Sequence, residues 1–237
     1  MTPQSQSGLI SKVLASAVTF WLKSQVESVE QLTVDVNAGD RNLLSGRIPE
    51  LRLQAHQIVY QGIHLTDITI TARDIATNLP QVLRGKPLKL KEAIPITAQA
   101  SLSAQDLNAS LSAPLLEPVI RGFLADLLRS AEIETDPATL HSFQSHLAPD
   151  QLTLSAQIPT SGGPDQEVAL RTQIHLISPN QLVLNQVQWL THARAKRGLP
   201  LTDLEGYGFD LGPDTEIVDL AIESEQLKVE GNFKVYP

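Results

Sequence analysis

Histidine supplies metal ligands and general bases near neutral pH more readily than any other side chain, and the chain carries six: His56, His64, His141, His146, His175 and His192. A zinc-binding helix needs two of them four residues apart on one face. No pair has that spacing, and the five-residue step from His141 to His146 does not bring both rings to one ligand face. The absence of cysteine excludes thiolate catalysis, iron-sulfur clusters, disulfides and cysteine-type zinc sites. Asp203, Glu205, Asp210 and Asp214 are near enough in sequence to gather calcium, but their spacing misses the EF-hand loop and reads as a solvated acidic loop. There is no G-x-S-x-G elbow and no phosphate-binding G-x-x-x-x-G-K, and Gly206-Tyr207-Gly208 lacks the third glycine of a dinucleotide fingerprint. No catalytic group, metal or cofactor is expected, and the chain is read as not an enzyme.

Two basic clusters are the remaining groups with chemistry to offer. Arg84, Lys86, Lys89 and Lys91 fall in the run RGKPLKLK, and Arg194, Lys196 and Arg197 form a second knot ahead of Gly198. Each is either a solvated turn or a seat for lipid headgroups at an anionic membrane, where a cation contributes about 1 kcal/mol. In an extended RGKPLKLK, Leu88 and Leu90 point one way and Lys89 and Lys91 the other. The net charge of −8 and the scattered aromatics argue against nucleic acid as a partner.

These groups must be held by strands and a few helices. From Ile10 through Val13, Leu14, Ala17, Phe20 and Trp21 to Val29, apolar residues recur every three or four positions, which predicts an amphipathic helix over about 9–30, with residues 1–8 disordered. Its apolar arc either packs on the domain's own sheet or, through Phe20, Trp21 and Leu22, touches a membrane. Strict apolar and polar alternation predicts strands near 31–38, 47–56, 62–75, 94–102, 151–158, 166–178, 181–190, 216–222 and 226–236. Ser103 caps a short helix, and PLLEPVIRGFLADLLRSA is a second, longer one that starts near 116 because Pro118 fits only the first turn. The polar stretch 132–150 and the glycine-rich 206–213 are left as connections. No boundary of composition divides the 237 residues, so a single domain is expected.

Ala15-Ser16-Ala17 resembles a signal cleavage site, but the apolar run before it is short and broken by Ser11 and Lys12. Lys12 and Lys23 bracket only ten residues, too few for a span of about 20. The expected location is the cytoplasm or the periphery of an inner membrane.

The segments WLKSQVESVEQLTVDV (21–36), NLLSGRIPELRL (42–53), IVYQGIHLTDI (58–68) and VLRGKPLKL (82–90), with the step Asp106-Leu107-Asn108, resemble the bacterial LmeA-like phospholipid-binding family in its cyanobacterial branch. The resemblance implies an α+β fold like the tubular lipid-binding (TULIP) architecture, a curved, mostly antiparallel sheet wrapped around amphipathic helices. It further implies a non-enzymatic phospholipid binder or carrier that buries acyl chains against the apolar side of the sheet. At about 0.8 kcal/mol per methylene, a sixteen-carbon chain supplies on the order of 10 kcal/mol before ordering costs. The competing expectation is a scaffold that holds a protein partner, whose identity the sequence does not reveal, at a membrane without taking lipid inside.

Overall fold

Side chains that alternate along a strand give it one apolar and one polar face, and burying the apolar face requires a second layer. The computed structural model describes residues 7–37, 45–82, 84–130, 136–160 and 162–237. Helix α1 (Ser7–Gln25) leads into β1 (Ser28–Asn37), β2 (Arg47–Tyr60), β3 (Ile63–Ala76), the single turn α2 (Leu79–Val82) and β4 (Ile94–Ser103). Helices α3 (Ala104–Ser110) and α4 (Glu117–Ser130) follow. The chain continues through β5 (His141–Ala148), β6 (Gln151–Ile158), β7 (Gln166–Ser178), β8 (Gln181–Leu190), β9 (Leu199–Pro200), β10 (Gly208–Asp210), β11 (Thr215–Ile222) and β12 (Gln226–Val235).

The strands form two open antiparallel sheets rather than the one curved sheet expected. The first has the order β1-β2-β3-β4-β12-β11, and the second has the order β10-β8-β7-β6-β5 with β9 on β8. Alternation records which side of a strand is apolar, but it does not record which strand lies next to it. The second sheet is a continuous insertion, because β4 pairs across it with β12.

Helix α4 seals the second sheet. Phe123, Leu124, Leu127 and Leu128 recur at helical spacing and pack on Leu154, Ala156, Val168, Leu170, Leu184 and Val187 of the strands. Tyr207 and Phe209 close one side by stacking with Phe123, at ring separations of 5.1 and 6.2 Å. Arg121 anchors the helix by donating to the carbonyls of Pro137 and Leu140 at 2.7 Å while pairing with Glu117.

Several boundaries differ from the sequence reading. Helix α1 ends at Gln25, not near 30, because the Glu27 amide already donates to the Val59 carbonyl (2.9 Å) and Val29 pairs with Ile58 in the sheet. Ser7 and Gly8 are helical rather than disordered, and residues 1–6 lie outside the described residues. Strand β5 occupies part of the polar stretch expected to be a connection, and β10 occupies part of the glycine-rich one.

Candidate functional site

Three rows of side chains cross the inner face of the first sheet. Strand register sets Leu32, Ala55, Ile68, Ala100, Val229 and Leu220 side by side. It does the same for Val34, Leu53, Ile70, Ala98, Gly231 and Ile217, and for Val36, Leu51, Ala72, Ile96, Phe233 and Thr215. Gly231 is required in its row, since a Cβ there would lie 2.8 Å from the Glu216 carbonyl oxygen. The neighbouring rows on the other face are polar: Gln54, Thr69, Gln99, Glu230 and Asp219, then Arg52, Thr71, Thr97, Asn232 and Glu216.

Cover over the apolar rows is uneven. Val18 and Leu22 of α1 share one cluster with Val34, Val36, Leu51, Ala72 and Ile96, to which Ile48, Ile75, Ile94 and Val235 of the strands and Leu79, Val82, Leu88 and Leu90 also belong. Leu32, Ile68, Ile70, Leu220, Val229 and Phe233 stay half-buried and belong to none of the clusters formed by the described residues. An apolar strip thus runs beside the covered part of the same face.

The loop carrying the first basic cluster is pinned to this sheet. Asn78 donates to the Pro87 carbonyl at 2.8 Å and accepts from the Lys89 amide at 2.7 Å, and Thr77 bridges to Leu90. Leu88 and Leu90 therefore face the core, whereas Arg84, Lys86, Lys89 and Lys91 are all exposed. Arg194, Lys196 and Arg197 are exposed as well, but on the second sheet, where Ala193 and Ala195 root their loop beside Ala169 and Leu190. The two clusters are thus carried by different sheets. The helical trio divides too: Leu22 packs inward, Trp21 is half-buried, and Phe20 is 78% exposed.

Helix α3 joins the sheets. Ser103 caps it by accepting from the Asp106 amide at 3.1 Å, and the Asp106 carboxylate accepts from Thr66, Ser103 and Gln57. Burial pushes that carboxyl's pKa up, but the three donors outweigh it and hold the group below its ordinary value. Asn108 reaches the other way, donating to the Ser145 carbonyl at 3.0 Å and accepting from the Ser145 amide at 2.7 Å. An amide side chain in this way stands in for one rung of a strand ladder. The Asp106-Leu107-Asn108 step, quoted above only as a motif, is the joint of the molecule.

Three of the histidines are engaged locally. His56 bonds Asp67 at 2.8 Å, His141 bonds Asp165 at 3.0 Å, and His175 bonds Asn185 at 3.2 Å. In the acidic loop, Glu205 accepts from the Gln186 amide, Asp210 from the Gly212 amide and Asp214 from the Tyr236 hydroxyl. Open clefts of about 350 and 500 Å³ lie on the polar side of the first sheet, lined by residues such as Thr69, Gln99 and Glu230 in one and Thr71, Thr97 and Asn232 in the other. Their hydrogen-bonding walls suit water better than an acyl chain. No helix among the described residues is long and apolar enough to cross a membrane.

Comparison with curated proteins and with solved structures finds no match. One family model does match, over residues 6–232, and that span takes in all of the second sheet, the joint and the first sheet up to the last three residues of β12. The chain belongs to the LmeA-like phospholipid-binding family.

Proposed function

We propose that this protein is a non-enzymatic, peripheral phospholipid binder in which acyl chains lie along the half-covered strip of the first sheet. The observation that carries the reading is the set of large apolar side chains, Leu32, Ile68, Ile70, Leu220 and Val229, that the protein's own helices leave partly open. Burying apolar surface is favourable at about 25 cal/mol per Å², so a chain laid on this strip needs no strong polar site. The two sheets act as one unit, since the joint at α3 and the insertion of the second sheet within the first tie them together. In this reading α1 and the first sheet form a half-pipe akin to the tubular lipid-binding architecture.

Headgroups and an anionic membrane surface are met by Arg84, Lys86, Lys89 and Lys91, with Arg194, Lys196 and Arg197 as a second contact and Phe20 and Trp21 as the apolar part of the helix near the bilayer. The protein works at the periphery of an inner membrane. Solvent extraction of the purified protein followed by mass spectrometry tests the reading, with phospholipid expected in the extract. A folded Ile68→Gln, Val229→Gln double variant should come out depleted. Extracts free of lipid from both proteins would instead favour a scaffold that holds a protein partner at the membrane.

A further inference from the structure

The loop that follows β8 is strapped onto the outer face of the second sheet. Val168 and Leu170 belong to the core that α4 seals, so Glu167, Ala169 and Arg171 share the opposite face of β7. There the Glu167 carboxylate accepts from the Ala193 amide at 3.2 Å and the Arg171 guanidinium donates to the Ala195 carbonyl at 2.5 Å, while Ala193 and Ala195 cluster with Ala169 and Leu190. Gly198 then brings the chain close past the strand; a Cβ on it would lie 2.7 Å from both the Gln188 Cβ and the Trp189 carbonyl oxygen. Beyond it Leu199 pairs with Trp189, and the Leu201 amide donates to the Val187 carbonyl at 2.9 Å. The loop is thus fixed on both sides of its tip. Buried Ala193 and Ala195 alternate with exposed Arg194 and Lys196, and Arg197 and Leu199 follow, the leucine 68% exposed. Arg194, Lys196 and Arg197 form no ion pair among the described residues. Strands β8 and β9 carry no charged side chain, Glu205 is turned to the Gln186 amide, and residues 191–203 hold these three cations against the single carboxylate of Asp203.

We propose that this strapped loop is the element that penetrates an anionic phospholipid bilayer, with Leu199 below the phosphates and Arg194, Lys196 and Arg197 among them. The inference rests on the membrane contact proposed above and assigns penetration to the second sheet. Charge complementarity selects the occupant: on a chain of net charge −8, three clustered cations call for an anionic surface. The exposed leucine beside them gains from hydrocarbon, which a soluble anion does not supply. A loop already held in place loses little freedom on contact, so less of the attraction goes into ordering it. The loop of the first basic cluster differs, because Leu88 and Leu90 pack inward and leave only cations on its outer side. The two basic loops then divide the work: the first meets the surface by charge alone, and the second enters it.

The chain has two tryptophans, and Trp189 stands directly opposite Leu199, so in a Trp21→Phe background it reports penetration. The test combines co-sedimentation and tryptophan quenching of the whole chain on vesicles of phosphatidylglycerol and phosphatidylcholine whose acyl chains carry bromine near the headgroup. The Trp21→Phe parent should bind and lose Trp189 emission. Adding Leu199→Ser should lower the partition about tenfold and the quenching with it, whereas Leu199→Phe should keep both. Changing Arg194, Lys196 and Arg197 together to glutamine should lower the partition about a hundredfold at low salt and far less at high salt, where screening has already weakened the contact. All four positions are exposed, and circular dichroism checks each fold. Vesicle binding that leaves Trp189 unquenched, or a Leu199→Ser variant that partitions like its parent, overturns penetration by this loop and leaves a membrane contact elsewhere standing. A parent that ignores anionic vesicles removes the membrane contact itself, and this inference with it. Lipid in the solvent extract is read independently of these outcomes, so carriage and penetration stand or fall separately.

Discussion

The two sheets are built from the same alternating strands, yet one makes a core and the other leaves a surface. In the second sheet Val168, Ala169 and Leu170 are completely buried, as are Leu124 and Leu127 on the helix above them. In the first, Leu32, Ile68, Ile70, Val229 and Leu220 are only half-buried. The strands do not differ in kind; the covers do. Helix α4 brings four large side chains and meets Tyr207 and Phe209, whereas α1 brings Val18 and Leu22 to one side of a face six strands wide. An apolar face becomes core or binding surface according to what lies on it, and the strand pattern alone does not distinguish the two outcomes.

The widest gap between the sheets should appear on truncating a side chain. Leu127→Ala should cost about 2–5 kcal/mol, the usual loss when a fully buried leucine leaves a cavity, while Ile70→Ala should cost well under half of that. Urea unfolding of both variants measures the difference, and equal losses would erase the comparison. Next in size, changing Arg84, Lys86, Lys89 and Lys91 together to glutamine should remove up to about 4 kcal/mol of attraction to anionic vesicles without altering unfolding. Co-sedimentation at low salt is the measurement. Unchanged binding would make the loop an ordinary solvated turn, and the charge contact would then be sought at Arg194, Lys196 and Arg197.

A third variant probes whether the sheets unfold together. Asn108→Ala removes both bonds to the Ser145 main chain and should cost about 1–3 kcal/mol. Trp21 stands on the helix of the first sheet and Trp189 on β8 of the second, so Trp21→Phe and Trp189→Phe backgrounds report each sheet separately. Coincident transitions in the parent that separate in the Asn108 variant would identify α3 as the coupling element; transitions that stay coincident would place the coupling elsewhere. The smallest effect concerns pH and the first sheet. The hydrogen bond to Asp67 raises the pKa of His56 above 6.5, so the stabilisation it brings is complete below pH 6.5 and is lost as pH rises through the raised value. Thermal unfolding of wild type and His56→Gln should therefore differ slightly in mild acid and converge in alkali. A difference that grows with pH would mean the pair does not work this way.

Local features were legible in the residues. Ser103 announces α3, and Pro118 fixes where α4 begins. Leu88 and Leu90 against Lys89 and Lys91 foretell a loop with an inner and an outer side. Features that depend on distant residues were not legible. In β5, HSFQSHLA offers only Phe143 and Leu147 as an alternating pair around a buried Ser145, and its backbone is bonded from Asn108, 37 residues away. The stop of α1 at Gln25 comes from pairing with β2, so helical spacing runs past it to Val29. The strip itself is written as plain alternation, and its being half-covered depends on α1, which packs on the neighbouring part of the face.

The pairing of β4 with β12 has a consequence for the order of events in folding. Thr97 bonds Asn232 and Gln99 bonds Glu230 across 135 and 131 residues of chain, whereas every pairing of the second sheet lies within the insertion. Closing so long a loop carries an entropic cost that nearby pairings avoid, and contacts of this range form slowly. During synthesis, which delivers about 5–20 residues per second, β1 to β4 emerge many seconds before the strand that completes them. Until then β4 is a bare edge beside a half-open apolar face, the arrangement most exposed to mispairing. A chain cut short before Gln226 would keep that edge permanently.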